Sequence, residues 1–258
     1  MDLIQNYDWF IENFRRITGV DLEKYKRPQM ERRLTALCTK RGFHTFGEYL
    51  DAASKDARLM DELLDRMTIN VSEFFRNQSR WDALAQLIPT LIRNNRIKAW
   101  SAACSTGQEP YTLMLLLSKY MPISGVSLLA TDIDERALRV AKEGIYSEEE
   151  LAPIEKELRN NFFRAVTSTQ QQAVDEVRAR IDFRKHNLLE QPFDTDFDLI
   201  VCRNVLIYFT DSAKDILYHK FAQALRHGGV LFVGSTEQIF HAETYHLKQI
   251  QPFFYQKL

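Results

Sequence analysis

Apolar positions in the first 70 residues recur at helical spacing, whereas from about residue 97 they gather into short solid runs separated by helical stretches. Trp9, Phe10, Phe14 and Ile17 fall on roughly one helical stripe that Gly19 can stop. A second helix is predicted from Pro28, which a first turn tolerates, to Gly42. Two short helices are predicted next, near 46–53 and 57–66. No run in this part alternates like a strand, so residues 1–70 read as a small all-α domain, joined to the remainder of the chain by a linker and helix at 71–96.

Beyond it, 97–101 is an apolar run before a turn, and 110–120 reads as a helix. A second buried run, 126–130, ends in Thr131-Asp132-Ile133-Asp134 before a helix near Glu135. Runs at 181–183, 199–202 and 230–233 continue the alternation. Between the last two lies a helix with Asp211 as its expected N-cap and Gly228 just past its end. Strands alternating with helices predict an α/β fold over 97–258, a doubly wound and mainly parallel sheet with its ligand at the carboxyl ends of the strands. The weakly patterned stretch 146–180 reads as an insertion before the third strand.

Composition narrows the class. Nine glycines in 258 residues predict few tight hairpins, and a net charge of −1 gives no general support to a nucleic-acid partner. Cys38, Cys104 and Cys202 are odd in number and outside any CxxC spacing, against a disulfide framework or zinc site and in keeping with a reducing cytoplasm. The N-terminus lacks the basic and apolar regions of a signal peptide, and no apolar run approaches the ~18 residues of a membrane span.

The first sheet turn reads Ser101-Ala102-Ala103-Cys104-Ser105-Thr106-Gly107-Gln108-Glu109-Pro110. A dinucleotide site wants GxGxxG, so that pyrophosphate can approach a helix N-terminus. Here one glycine is present, and Glu109 stands where phosphate would sit. A carboxylate there suits an ammonium group, or it simply caps the helix. Asp132 ends the second strand about 25 residues after Gly107, near the spacing at which an acid takes ribose hydroxyls. Asp134 is the better cap for the next helix, which leaves Asp132 free. Together the acids favour an adenosine-containing, phosphate-free cofactor; S-adenosylmethionine has that composition.

Two further motifs lie in register with this turn. Thr68-Ile69-Asn70-Val71-Ser72-Glu73-Phe74-Phe75-Arg76 joins the halves, and the fourth strand ends Val201-Cys202-Arg203-Asn204-Val205-Leu206-Ile207-Tyr208-Phe209. With the Ser-Thr-Gly-Gln-Glu-Pro-Tyr turn, these resemble the CheR-type chemotaxis receptor glutamate methyltransferases over nearly the whole chain. The resemblance implies an S-adenosylmethionine-dependent methyltransferase fold, with S-adenosylmethionine as cofactor and no metal. It implies that Asn70, Ser72 and Arg76 line the pocket, that Glu109 holds the methionyl amine, and that Asp132 holds the ribose. It places Asn187 and Leu188 at the adenine, Arg203 and Asn204 at the methionyl or ribose portion, and Tyr208 beside the transferred methyl.

The implied activity is esterification of glutamate carboxylates on methyl-accepting receptors, by an enzyme that is cytoplasmic and recruited to membrane receptors. Such a carboxylate is already ionised at neutral pH, so no general base is needed, in agreement with the lack of a His/Asp or Cys/His constellation. Arg76 and Tyr208 are the expected catalytic pair. Lys24, Lys26, Arg27, Arg32, Arg33, Lys40 and Arg41 make the N-terminal domain locally basic and are expected to dock the acidic helical bundle of a receptor. Those cations also keep open a nucleic-acid methyltransferase. A non-catalytic module that senses S-adenosylmethionine is the other alternative. Some family members tether to a receptor's C-terminal pentapeptide through a glycine-bearing loop of a small β insertion, to which 146–180 corresponds here. This chain has no glycine between Gly144 and Gly228, so the tether is expected to be unused.

Overall fold

The computed structural model describes residues 7–68 and 72–258. The described residues form two compact units. One comprises the chain up to residue 68 together with 206–216; the other comprises 72–205 and 217–258.

The first unit is helical. Its helices are α1 (Tyr7–Thr18), α2 (Arg27–Arg41), α3 (Phe46–Ala53) and α4 (Ala57–Thr68). Phe10, Phe14, Met30, Leu34, Leu37, Phe46, Leu50 and Leu63 form its interior. Local signals set the boundaries. Gly42 closes α2 in the left-handed conformation, and Thr45 with Glu48 makes a reciprocal capping box at the start of α3. The stripe expected on α1 is only half right. Tyr7, Phe10 and Phe14 face the interior, while Trp9 and Ile17 are 44% and 45% exposed. Trp9 is one residue, about 100°, off the Phe10 face, and Ile17 lies in the last turn. The segment 206–216 joins these helices through backbone pairing. Lys26 N–H donates to the Tyr208 carbonyl at 2.8 Å, Thr210 N–H to the Lys24 carbonyl at 2.8 Å, and the rings of Tyr25 and Phe209 meet at 4.9 Å.

The second unit is built on a seven-stranded sheet. Its strands are β1 (Ile97–Ala102), β2 (Val126–Asp132), β6 (Ile181–Lys185), β7 (Phe197–Cys202), β8 (Leu225–Val233), β9 (Leu247–Gln251) and β10 (Phe254–Lys257), in the order β6-β2-β1-β7-β8-β10-β9. All neighbours are parallel except β10, which runs antiparallel to both β8 and β9. Covered on both faces, the inner strands are solid apolar runs rather than alternating ones: all of β7 is buried. Helices α5 (Gln78–Leu91), α6 (Gln108–Ser118), α7 (Glu135–Glu143) and α11 (Asp211–Ala224) accompany the sheet, the last beginning in the 206–216 segment. Strand order reverses between β1 and β7, which opens a crevice at their carboxyl ends.

Two boundary expectations fail around α11. Asp211 is the first helical residue, and Thr210 Oγ1 takes the Ala213 N–H instead. Gly228 does not follow the helix; it lies inside β8, where pairing with β7 jumps from Phe197–Leu225 to Leu199–Val230. The residues between bulge out, and Gly228 supplies the φ of 76° that the bulge requires.

Between Glu143 and β6 the chain builds a separate antiparallel sheet, β3-β5-β4, from β3 (Ile145–Ser147), β4 (Phe163–Ala165) and β5 (Gln170–Ala173). Short helices α8 (Glu148–Leu151), α9 (Lys156–Phe162) and α10 (Asp175–Arg178) complete it. The β4–β5 turn closes without glycine: Val166 and Thr167 N–H both donate to the Gln170 carbonyl.

Candidate functional site

The carboxyl ends of β1, β2, β7 and β8 gather a set of buried charged groups. The turn after β1 is tightly wound, with Ala103, Ser105 and Gly107 at φ of 65°, 50° and 97°. A left-handed alanine costs roughly 1–2 kcal/mol, a strain of the kind that collects at functional sites. Gly107 has no alternative, since a Cβ there would lie 2.7 Å from the Tyr146 hydroxyl and 2.9 Å from Ala141 Cβ. Tyr146, on β3 of the insertion, braces the turn by donating to the Thr106 carbonyl at 2.8 Å.

Glu109 opens α6 with its side chain 13% exposed. Ser101 Oγ donates to one carboxylate oxygen at 2.8 Å, and the Arg203 guanidinium lies 3.7 Å from the other. Burial raises the Glu109 pKa to about 7, against the pull of Arg203 and Ser101. Asp132, at the end of β2, is buried. It has no capping duty, as expected, and it accepts the Ser105 N–H at 2.7 Å and the Asp134 N–H at 3.0 Å, so it ties the two strand-end turns together. Burial lifts its pKa to about 6, while those N–H groups act in the opposite sense. Asp134 caps α7 as expected, through the Arg136 and Ala137 N–H groups.

Arg203, immediately after β7, spans the crevice. One guanidinium nitrogen donates to the Arg76 carbonyl at 2.8 Å and reaches Asn77 Oδ1 at 3.3 Å; the group also lies over the rings of Trp81 and Phe232. Its Nε is buried without a hydrogen-bond partner among the described residues. Ser72 and Arg76 are half-buried on the segment that Phe74 anchors against Tyr146 and that Arg203 holds by the Arg76 carbonyl. Asn204 comes next with a left-handed backbone, φ 61°. Asn187 and Leu188 lie beyond β6; the Asn187 side chain accepts the Leu189 N–H at 3.0 Å, and Leu188 is buried. Ser72, Arg76, Glu109, Asp132, Asn187, Leu188, Arg203 and Asn204 all belong to the sheet unit. Asn70 lies outside the described residues.

Tyr208 belongs to the helical unit, where the Arg33 guanidinium covers its ring at 4.6 Å. The expected docking cations are differently employed. Arg27 pairs with Asp8 and Glu31, Lys40 and Arg41 pair with Glu62, and Lys24 lies on a short 3-10 turn. Lys26 precedes α2, and Arg32 is exposed on it.

Sequence reasoning missed Ser101, Ser105 and Trp81, whose roles come from tertiary contact, and it missed Glu237. The last was within reach: Glu237 comes after β8, one more strand whose carboxyl end faces the crevice. The thiols of Cys104 and Cys202 are buried with raised pKa values, which makes them poor nucleophiles. A groove lined by Arg93, Lys98, Gly125 and Asp198 lies at the opposite, amino ends of the strands, where Asp198 is occupied by Arg93 and Arg226.

The donors of this site decide which ligand it accepts. Two buried carboxyl groups stand at the first two strand ends, one of them at the helix N-terminus where a phosphate would need bare N–H groups. That set fits a ligand with a cationic amine and vicinal hydroxyls and repels a polyphosphate.

Comparison with known proteins agrees. Residues 70–253 match the CheR methyltransferase SAM-binding domain, and residues 5–68 match the CheR methyltransferase all-alpha domain. A chemotaxis protein methyltransferase of Listeria innocua is 42% identical over 259 residues, covering 99% of this chain and 98% of its own. One from Borreliella burgdorferi is 34% identical, covering 93% and 89% respectively. Chemotaxis protein methyltransferase 2 of Pseudomonas aeruginosa is 32% identical, covering 90% and 85%. With both domains matched in order, the chain belongs to the CheR methyltransferase family, and its activity is S-adenosylmethionine-dependent methylation of receptor glutamates.

Proposed function

We propose that the residues of this chain divide that reaction between a cofactor cradle in the sheet unit and a substrate-orienting pair, Arg76 and Tyr208. The placement of Glu109 carries the reading: a largely buried carboxyl at the start of α6, held between Ser101 and Arg203. When ionised it pairs with the methionyl ammonium, while Asp132 takes the ribose hydroxyls. Asn187 and Leu188 bracket the adenine; Arg203, Asn204, Asn70 and Ser72 complete the enclosure.

S-adenosylmethionine, when bound, supplies an electrophilic methyl group. The chain orients the incoming glutamate carboxylate, ionised at neutral pH with an ordinary pKa of about 4.3, and excludes water from it. Arg76 positions that carboxylate without over-stabilising it, because the charge of both partners is lost in the transition state. Tyr208 shapes the space at the methyl. Neither a general base nor a metal is called for. Lys24, Lys26 and Arg32 steer the acidic receptor bundle, while Arg33 acts on Tyr208. The enzyme works in the cytoplasm at the receptor helices, without a pentapeptide tether.

The test is incubation with methyl-labelled cofactor and a receptor cytoplasmic fragment, with RNA in parallel. Label on the fragment, released as volatile methanol by alkali, supports the reading, because only esters give it. Label on RNA, or binding without turnover, overturns it.

A further inference from the structure

Glu237 has no part in that division of labour, yet it is a buried acid at the crevice, 4% exposed, in the loop after β8. One of its oxygens, Oε2, accepts two backbone N–H groups, Asn204 at 2.8 Å and Gly234 at 2.7 Å. The loops that leave β7 and β8 are therefore clamped to each other by a single carboxylate oxygen. Space in the clamp is exhausted: a Cβ on Gly234 would lie 2.3 Å from that oxygen and 2.9 Å from the Asn204 nitrogen. Asn204 itself has φ 61°, the left-handed region that asparagine enters more readily than most L-residues, so the corner turns at this position. Beside it in the chain stands Arg203, which faces Glu109 and holds the Arg76 carbonyl.

We propose that Glu237 is a positioning residue of the cofactor site, which fixes the Arg203-Asn204 corner by gripping the Asn204 N–H and supplies a second buried negative charge opposite Arg203. The inference rests on the assignment of this crevice to S-adenosylmethionine. Charge balance supports the geometry. Glu109 and Glu237 both act on Arg203 to favour its charged form, and Glu237 acts on Glu109 to disfavour ionisation. A buried cation lacking a partner at Nε needs such compensation. Arg76 acts in the opposite sense to Glu237 on both groups, favouring the ionised form of Glu109 and disfavouring the charged form of Arg203. Glu237 thus fixes the posture of the corner and adds to the effect of burial in raising the pH at which Glu109 ionises.

Glu237→Gln keeps an oxygen acceptor of the same shape and removes the charge. Calorimetric titration of S-adenosylhomocysteine from pH 5.5 to 8.5, on wild type, Glu237→Gln and Glu109→Gln, separates the possibilities. The expected result is a Kd about tenfold weaker for Glu237→Gln at pH 8.5, the loss typical of a charged hydrogen bond. In addition, the acid limb of binding moves to lower pH, because Glu109 has lost a repelling neighbour. Simple loosening of the fold does not move that limb. A wild-type Kd with a wild-type limb overturns the proposal. If wild type itself does not bind, or Glu109→Gln binds as wild type does, the cofactor reading fails with it. If Glu237→Gln does not fold, amide exchange on the wild-type chain decides. Protection of Asn204 and Gly234 N–H that rises on ligand addition supports the clamp, and exchange at solvent rates overturns it.

Discussion

The guanidinium of Arg33 lies 4.6 Å from the centre of the Tyr208 ring and donates to the Met67 carbonyl at 3.2 Å. A cation over an aromatic face is worth about 0.5–2 kcal/mol, more as water is excluded, and burial here is sufficient to lower the arginine's pKa. Arg32, its neighbour in sequence, is exposed. Two adjacent arginines of one basic helix thus have different employment. Arg33→Ala is expected to cut turnover at saturating substrate at least tenfold and to lower stability by about 1 kcal/mol. Arg32→Glu is expected to raise the apparent receptor constant and to flatten its rise with salt. Initial-rate kinetics at several ionic strengths check both; equal effects from the two substitutions contradict the division.

Under the proposed assignment, Glu109 is expected to make cofactor affinity depend on pH. Its pKa of about 7 in the free protein means that a proton must leave before a cationic amine is held by charge. Affinity is expected to climb from pH 6 to pH 8 and then level. Glu109→Gln should abolish the climb, and both Glu109→Gln and Asp132→Ala should weaken binding by roughly 1–3 kcal/mol. Stability without ligand runs the other way. A carboxyl raised above its ordinary ~4.3 contributes stability that is present below that value and is lost as pH rises through about 7; Asp132, at about 6, adds in the same sense. Calorimetric titration and thermal melts across this range test the pair of trends, and unchanged affinity in both folded variants removes the pocket assignment.

Most of the architecture was legible because buried parallel strands and amphipathic helices write different periods, and Pro28, Gly42 and Asp134 mark their ends. At the site, the sequence marks the ends of the first two strands, where Glu109 and Asp132 stand. What escaped depends on non-local pairing. Nothing in the sequence says that 206–216 packs with the helices by pairing Tyr25 with Phe209, or that Gly228 serves a bulge rather than a helix end. Nor does the sequence say that the exposed cations Arg27, Lys40 and Arg41 pair with Asp8 and Glu62 on neighbouring helices.

Binding and chemistry should separate at the remaining pair. Tyr208→Phe and Arg76→Ala are expected to lower turnover more than cofactor affinity, since neither supplies a carboxylate to the cradle. Single-turnover rates beside calorimetric affinities decide it. If turnover stays within about twofold in both, the two residues are scaffold.

The insertion bears on how receptors are held. Peptide tethering by strand addition needs an open sheet edge with room for a backbone ladder. Here β5 is the middle strand, and the flanking strands β3 and β4 are three residues each. Two of the three glutamines of β5 are already engaged, Gln171 with Glu148 and Arg159 and Gln172 with the Glu143 carbonyl. On β4, the Arg164 guanidinium turns back onto the carbonyls of Asn160 and Phe163. The β4–β5 turn forms without glycine, so the expectation that the tether is unused rests on short edges and engaged side chains rather than on glycine content. A three-residue edge offers an incoming pentapeptide too few ladder bonds to offset its ordering, which costs about 1–2 kcal/mol per residue. Titrating the isolated receptor C-terminal pentapeptide, with a tether-dependent relative as positive control, should give no saturable binding at micromolar concentrations. Deleting the pentapeptide from a full receptor should leave its methylation rate unchanged. A micromolar Kd, or a methylation rate that falls with the deletion, would establish the tether after all.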